Sequence, residues 1–370
     1  MSDRIAAPAS PVRYDLSVEH QEPDEAATDV ALVETMFGIT STTFKNGGHA
    51  LRSVHAKSHG LLRGEIEILD NLPPTLAQGA FARPGRYPII LRLSTTPGDL
   101  LDDSVSTPRG MALKIVGIES ARLPGSDGDV TQDFVMVNGP AFNAPNAKKF
   151  LSNLKLLAAS TDKAAGVKKV VSATMRGAEA VVEAFGGQSP TLVSMGGQPE
   201  THILGETYYS QAPLLYGDYI AKVCVAPVSP ELTALTKAPL DLNGKPNGLR
   251  EAVVDFFRNH GGAWELRVQL CTDLEAMPVE NASVVWPEDQ SPYVTVARIT
   301  VPPQEAWSPA RSAAIDDGLA FSPWHCLAAH RPLGSVMRAR RAAYEMSAQF
   351  RAKNNAHPIR EPRTANDLPG

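Results

Sequence analysis

The chain has 370 residues, 43% hydrophobic and 20% charged, which suits a globular protein with a sizeable core and leaves one large or two ordinary domains open. Its formal net charge of −5 gives no polyanion-binding signature, which speaks against a nucleic-acid partner, and three widely spaced cysteines (Cys224, Cys271, Cys326) imply no disulfide framework. No apolar stretch is long enough to span a bilayer and the N-terminus does not resemble a signal peptide, so a cytoplasmic protein without a membrane partner is expected.

Residues 1–27 are polar and acidic, carry Pro8, Pro11 and Pro23, and read as a flexible arm. The apolar spacing of 28–37 suits a short helix, which Gly38 would stop. Residues 65–69 and 87–94 alternate or run apolar with β-branched side chains and read as strands, as do 110–117 and 133–137. Helices are expected at 148–159, 178–185 and 248–259. Strand patterning returns at 219–225, 264–272 and 293–301, the last ended by Pro302-Pro303. Residues 311–355 read as mainly helical, broken near Pro332-Leu333-Gly334, and 356–370 as a tail. Strands in both halves, with helices between and after them, predict an α+β fold built on an antiparallel sheet or barrel. Nothing divides 28–355, which reads as a single domain.

Two segments carry chemistry. The first runs from Arg338 to Arg351 without Gly or Pro, so on a helix Arg340 and Tyr344 share a face and Arg351 lies two turns further along it. A guanidinium beside a phenol favours the phenolate, which is a good axial ligand for ferric haem. An exposed Arg-rich helix with one core Tyr fits this segment as well. The second is Arg52-Ser53-Val54-His55-Ala56-Lys57-Ser58-His59-Gly60. His55 and His59 have the spacing of a helical metal pair, but the zinc-protease Glu is missing and Gly60 follows; His55 at a reactive pocket with a structural His59 is the other reading. His325-Cys326 offers a rival haem ligand or a Cys–His nucleophile pair, set against a packed loop with a buried thiol.

Taken in order, these motifs resemble the haem catalase superfamily over most of the chain. Arg52 to Gly60 is similar to the family's distal Arg-x-x-His-Ala-x-Gly-x-Gly segment, with Ser58 in place of a Gly. Arg92-Leu93-Ser94-Thr95 resembles its Arg-Phe-Ser-Thr strand, and Pro108-Arg109-Gly110 through Lys114 its Pro-Arg-Gly run. The two distal phenylalanines fall on Phe134 and Phe142. Trp264 to Gln269, Val285-Trp286-Pro287, Ala320-Phe321-Ser322-Pro323 and finally Arg340, Tyr344 and Arg351 follow the family order. By a gapless reading the family's distal Asn falls on Asp129. The wrapping segment and C-terminal helical region of full-length catalases have no counterpart here, so the likeness is to the smaller catalase-related proteins.

The resemblance implies an α+β fold: a catalase-like antiparallel β-barrel core with surrounding helices, without the C-terminal extension. It implies haem b, ligated through Tyr344, with Arg340 holding the phenol ionised and Arg52, Arg92 and Arg351 gripping the propionates. His55 would be general acid and base, Ser94 would orient its ring, and Val54, Phe134 and Phe142 would be apolar walls. A carboxylate at Asp129 could only accept a hydrogen bond unless protonated, which predicts weak dismutation of hydrogen peroxide. The leading expectation is a haem peroxidase taking hydrogen peroxide or organic hydroperoxides, a small-molecule reductant as second substrate, and a homodimer. Catalase activity, hydroperoxide isomerisation and a non-catalytic haem carrier or sensor stay open; Val54, where rearranging relatives often have Thr, leans away from the isomerase.

Overall fold

Alternation along the strands decides which side of the sheet becomes core and which becomes cavity wall. In the computed structural model, which describes residues 10–158 and 198–367, the strands are β1 (Lys57–Ile68), β2 (Gly85–Thr95), β3 (Arg109–Val116), β4 (Thr131–Val137), β5 (Tyr208–Tyr209), β6 (Leu214–Tyr216), β7 (Tyr219–Pro227), β8 (Gly262–Leu270) and β9 (Val294–Val301). They run antiparallel in the order β1-β2-β3-β4-β5-β7-β8-β9, and β9 pairs back onto β1. The result is a closed barrel of eight strands, with β6 added as a hairpin on β7. Closure leaves no long unpaired edge.

The barrel interior is apolar. Leu62, Leu91, Leu93, Met111, Leu113, Phe134, Met136, Val223, Trp264 and Leu266 meet there in one cluster. Burying each such side chain contributes about 1.5–3 kcal/mol. Residues one position out of phase, namely Arg92, Ser94, Gly110, Ala112, Val135 and Val137, face outwards onto a cavity. Over that outer face lie α1 (Glu25–Gly47), α2 (Ala147–Ala158) and the long helix near the end of the chain. Between them come α3 (Pro230–Thr233), α4 (Gly248–Asn259) and α5 (Pro309–Ser312), the last running into a π-helical turn at Ala313–Asp317. The long helix is α6 (Ser335–Asn354), and it packs on α1 and α2 through Leu32, Met36, Ile39, Ala147, Leu154, Ala339 and Ala343.

Three expectations need correction. The first helix does not stop at Gly38 but runs to Gly47, and Gly48, with φ of 70°, caps it by donating to Phe44 O. A mid-helix Gly costs about 1 kcal/mol, less than the burial of Met36, Ile39 and Thr43 on either side of it returns. Residues 10–24 are tied down rather than free: Val12 and Tyr14 donate to Cys271 O and Asp218 O, and Glu19 pairs with Arg331 and Arg338. Residues 319–334 hold no helix beyond a 3₁₀ turn at Ala328–His330, because Pro323, Pro332 and Gly334 interrupt the pattern. The helix expected at 178–185 lies outside the described residues.

Candidate active site

A cavity of about 470 Å³ lies between the outer face of β2–β4 and α6. Helical periodicity supplies one wall: Arg340, Ala343, Tyr344, Ser347, Ala348 and Arg351 form a stripe at intervals of three and four. The Arg340 guanidinium sits 5.1 Å from the centre of the Phe142 ring and donates to Met337 Sδ at 3.4 Å. It makes no ion pair among the described residues, and its link to Tyr344 is a shared cavity rather than a hydrogen bond.

His55 enters from the opposite side, on the loop before β1. Its φ of 56° is a left-handed conformation that side chains other than Gly rarely adopt, so the surroundings must hold it. Ser94 Oγ lies 3.3 Å from Nδ1, and a Cβ on Gly110 would stand only 2.7 Å from the same nitrogen. Gly110 is therefore what allows the imidazole to lie flat on β3, with Nε2 the nitrogen left for the cavity. Burial first, and then the nearby Arg92 and Arg340 charges, push the His55 pKa down to about 3. The ring is neutral at physiological pH.

Three guanidiniums converge beside this pair. Arg92 Nε is 2.7 Å and Arg52 Nη1 3.1 Å from Asp316 Oδ1, while Arg351 donates to Asp316 O. Burial would raise the Asp316 pKa, but Arg92 and Arg52 hold it below the usual carboxylate range. The cations remain in surplus: burial and Arg92 lower the Arg351 pKa to about 10, and burial with Arg351 and Arg92 drives Arg52 well down. Arg351 Nε is buried without a hydrogen bond. A ligand bearing carboxylates would relieve both defects. The donor set, the phenol on one wall and the imidazole on the other fit haem.

Arg52, Val54, His55, Arg92, Ser94, Phe142, Arg340, Tyr344 and Arg351 thus line one cavity. Two expected residues do not. Phe134 pairs across the strands with Leu113 on the interior face and stacks on Phe81 at 6.1 Å; the cavity positions of β4 are Val135 and Val137. Asp129 lies before β4 and bonds His325 Nε2 at 2.9 Å, away from the cavity. Asn138, just beyond β4, lines the cavity where Asp129 does not, and its Oδ1 accepts from Arg109 N at 3.0 Å. The gapless reading failed there, and with it goes the expected distal carboxylate. Asn138 was legible as the polar residue that ends an apolar strand. Asp316 was not, because only the fold brings three arginines to it. His59 is buried in β1, bonded to Thr95 Oγ1 at 2.9 Å, and does not approach His55 as a metal pair. His325 and Cys326 are packed in a loop away from the cavity, Cys326 fully buried.

Among solved structures, a fungal catalase matches all of this chain over 75% of its own length, with a TM-score of 0.58 and 18% identity. Catalase A from Saccharomyces cerevisiae matches 95% of this chain and 71% of its own (TM-score 0.57, 19% identity). A bacterial catalase matches 98% of this chain and 71% of its own (TM-score 0.55, 16% identity). The chain has the catalase fold. No family model matches the sequence, and no curated protein is similar to it at the sequence level.

Proposed function

We propose that the protein is a haem-dependent oxidoreductase acting on peroxides, and that it works as a peroxidase on hydrogen peroxide or organic hydroperoxides. The observation that carries this reading is the meeting of His55 and Tyr344, from opposite ends of the chain, across a cavity flanked by three under-neutralised arginines. The likeness in fold to catalases supports it. Tyr344 would ligate the iron, and Arg52, Arg92 and Arg351 would hold the propionates through short charge-assisted bonds. Bound haem supplies the redox-active iron at which a peroxide O–O bond is cleaved.

The chain's own residues manage the proton. Neutral His55 takes it from one peroxide oxygen and returns it to the leaving oxygen, as general base and then general acid. Ser94 and the bare Gly110 fix the ring's orientation. Asn138 Nδ2 donates to Gln198 Oε1 at 3.0 Å and keeps a second N–H for a substrate oxygen. Val54, Phe142 and Val137 line the cavity with apolar surface that lowers its dielectric.

Dismutation of hydrogen peroxide is a second reading, favoured by one observation: a neutral amide, Asn138, stands where a carboxylate was expected. Haemin titration into the purified protein tests the shared premise, with an absorption spectrum characteristic of tyrosinate ligation expected and lost in Tyr344→Phe. Oxygen evolution from hydrogen peroxide, measured against oxidation of an added reductant with cumene hydroperoxide, separates the two readings. Vigorous oxygen evolution with no oxidation of any reductant overturns the peroxidase.

A further inference from the structure

The chain beyond α6 reads as a tail in the sequence, yet its first part is pinned behind the cavity wall. Asn355 Nδ2 donates to Asp317 Oδ1 at 3.1 Å, a Cβ on Gly318 would stand 3.4 Å from the His357 ring, and Arg360 N donates to Gly318 O at 3.0 Å. Glu361 then turns its carboxylate inwards. Its Oε2 accepts from Lys114 Nζ at 2.6 Å and from Thr131 Oγ1 at 3.2 Å, and lies 3.2 Å from His325 Nδ1. Burial would raise the Glu361 pKa, but Lys114 and then His325 hold it well below the usual carboxylate range. Pro362 is buried, while Arg360 and Arg363 on either side are exposed.

What this segment grips is residues 316–322. From Gly318 to Ser322 they form no helix or strand, so no backbone ladder of their own fixes them. Yet two of the cavity's arginines are held by carbonyls of this stretch. Asp316 O accepts from Arg52 Nη1 at 2.9 Å and from Arg351, and Leu319 O accepts from Arg52 Nη2 at 3.1 Å and Arg351 Nη2 at 3.4 Å. Ala320, Phe321 and Ser322 line the cavity itself. Both ends of the stretch lead to one anchor, Lys114. Gly318 is tied to Arg360, whose neighbour Glu361 bonds Lys114, and Ser322 N donates to Asp133 Oδ2 at 3.0 Å while Asp133 Oδ1 takes Lys114 Nζ at 2.7 Å. Lys114 already has Asp133 and His325 already has Asp129, so a further carboxylate from near the chain's end does more than neutralise them.

We propose that Glu361 is a positioning residue: by latching residues 355–363 onto Lys114 it clamps the 316–322 wall, and through that wall it fixes how Arg52 and Arg351 face the cavity. The clamp on the wall stands on the contacts alone. Its reach to a propionate rests on the haem reading. Linkage makes that reach reciprocal: if a seated latch favours ligand binding at the arginines, the bound ligand favours the seated latch by the same factor.

Hydrogen exchange of the full chain without haemin tests the clamp. Glu361→Gln keeps the length and removes the charge, so amides of 318–322 should exchange about tenfold faster while those of β8 exchange as in the parent. Should that variant fail to fold, Thr131→Val takes a single donor from Glu361 and should speed the same amides about threefold. A second measurement reads the reach to the arginines. Haemin should bind Glu361→Gln about tenfold more weakly than the parent, and should slow tryptic cleavage after Arg360 and Arg363 about tenfold in the parent but not in the variant. Unchanged exchange at 318–322 overturns the clamp. Equal haemin affinity, or cleavage indifferent to haemin, overturns its action on the arginines. A parent that takes up no haemin would remove the haem reading, and the exchange result would still decide the clamp.

Discussion

The arginine cluster at the cavity and the ionic cluster behind it are built from the same residue types to opposite ends. Behind the cavity wall, Lys114 Nζ is 2.7 Å from Asp133 and 2.6 Å from Glu361, and His325 bonds Asp129 while lying 3.2 Å from Glu361. Every charge there has a counter-charge: burial opposes ionisation, yet Asp133 and Glu361 still raise the Lys114 pKa. At the cavity three guanidiniums share Asp316, and Arg351 Nε is orphaned. The first cluster is saturated; the second has cations to spare. Counting buried charges against partners separates structural from functional groups where residue type alone does not.

The largest expected effect breaks the saturated side. Lys114→Met leaves Asp133 and Glu361 buried with His325 as the one cation beside them among the described residues, and should cost about 3–5 kcal/mol in urea unfolding. Gly110→Ala comes next on the functional side. Its Cβ would displace His55 by about an ångström, and peroxide turnover should fall about 100-fold while haemin uptake persists.

The two histidines give opposite pH dependences. Burial would lower the His325 pKa, but bonds to Asp133 and Glu361 raise it to about 9. Its stabilisation is therefore complete below the unfolded value of about 6.5 and lost as pH rises through about 9, on the order of 2 kcal/mol. His325→Asn should flatten that alkaline slope in thermal melts. The His55 pKa falls to about 3, so its neutral form stabilises above pH ~6.5 and that contribution fades on acidification towards 3. The smallest effect sharpens the contrast. Arg351→Met removes a surplus cation, so stability should move by under about 1 kcal/mol while haemin binds about tenfold more weakly. A loss of stability as large as that of Lys114→Met would erase the distinction between the clusters.

Much of this was legible in the sequence. The α6 stripe needed only 3.6-residue periodicity, and β2, β3 and β7 to β9 showed in their apolar runs. Phe134 illustrates a limit that parity could have removed: counting by twos back from Met136 puts it inside the barrel. The early half of β1 was missed because Lys57, Ser58, His59 and Gly60 look like loop, and only tertiary partners such as Thr95 and Asp103 make them strand. Two-residue β5, which closes the barrel, carries no signal of its own.

The docking of residues 10–24 reaches further than it first looks. Arg338 is gripped by Glu19, Glu25 and Glu280, and it sits on α6 less than one turn before Arg340 and under two before Tyr344. Trimming the chain as far as Tyr14 removes little of that clasp, whereas a cut beyond Glu19 frees the start of the helix that carries the phenol. Expression tags and deletions at this terminus are therefore not neutral handles: their placement tunes how firmly Tyr344 is aimed.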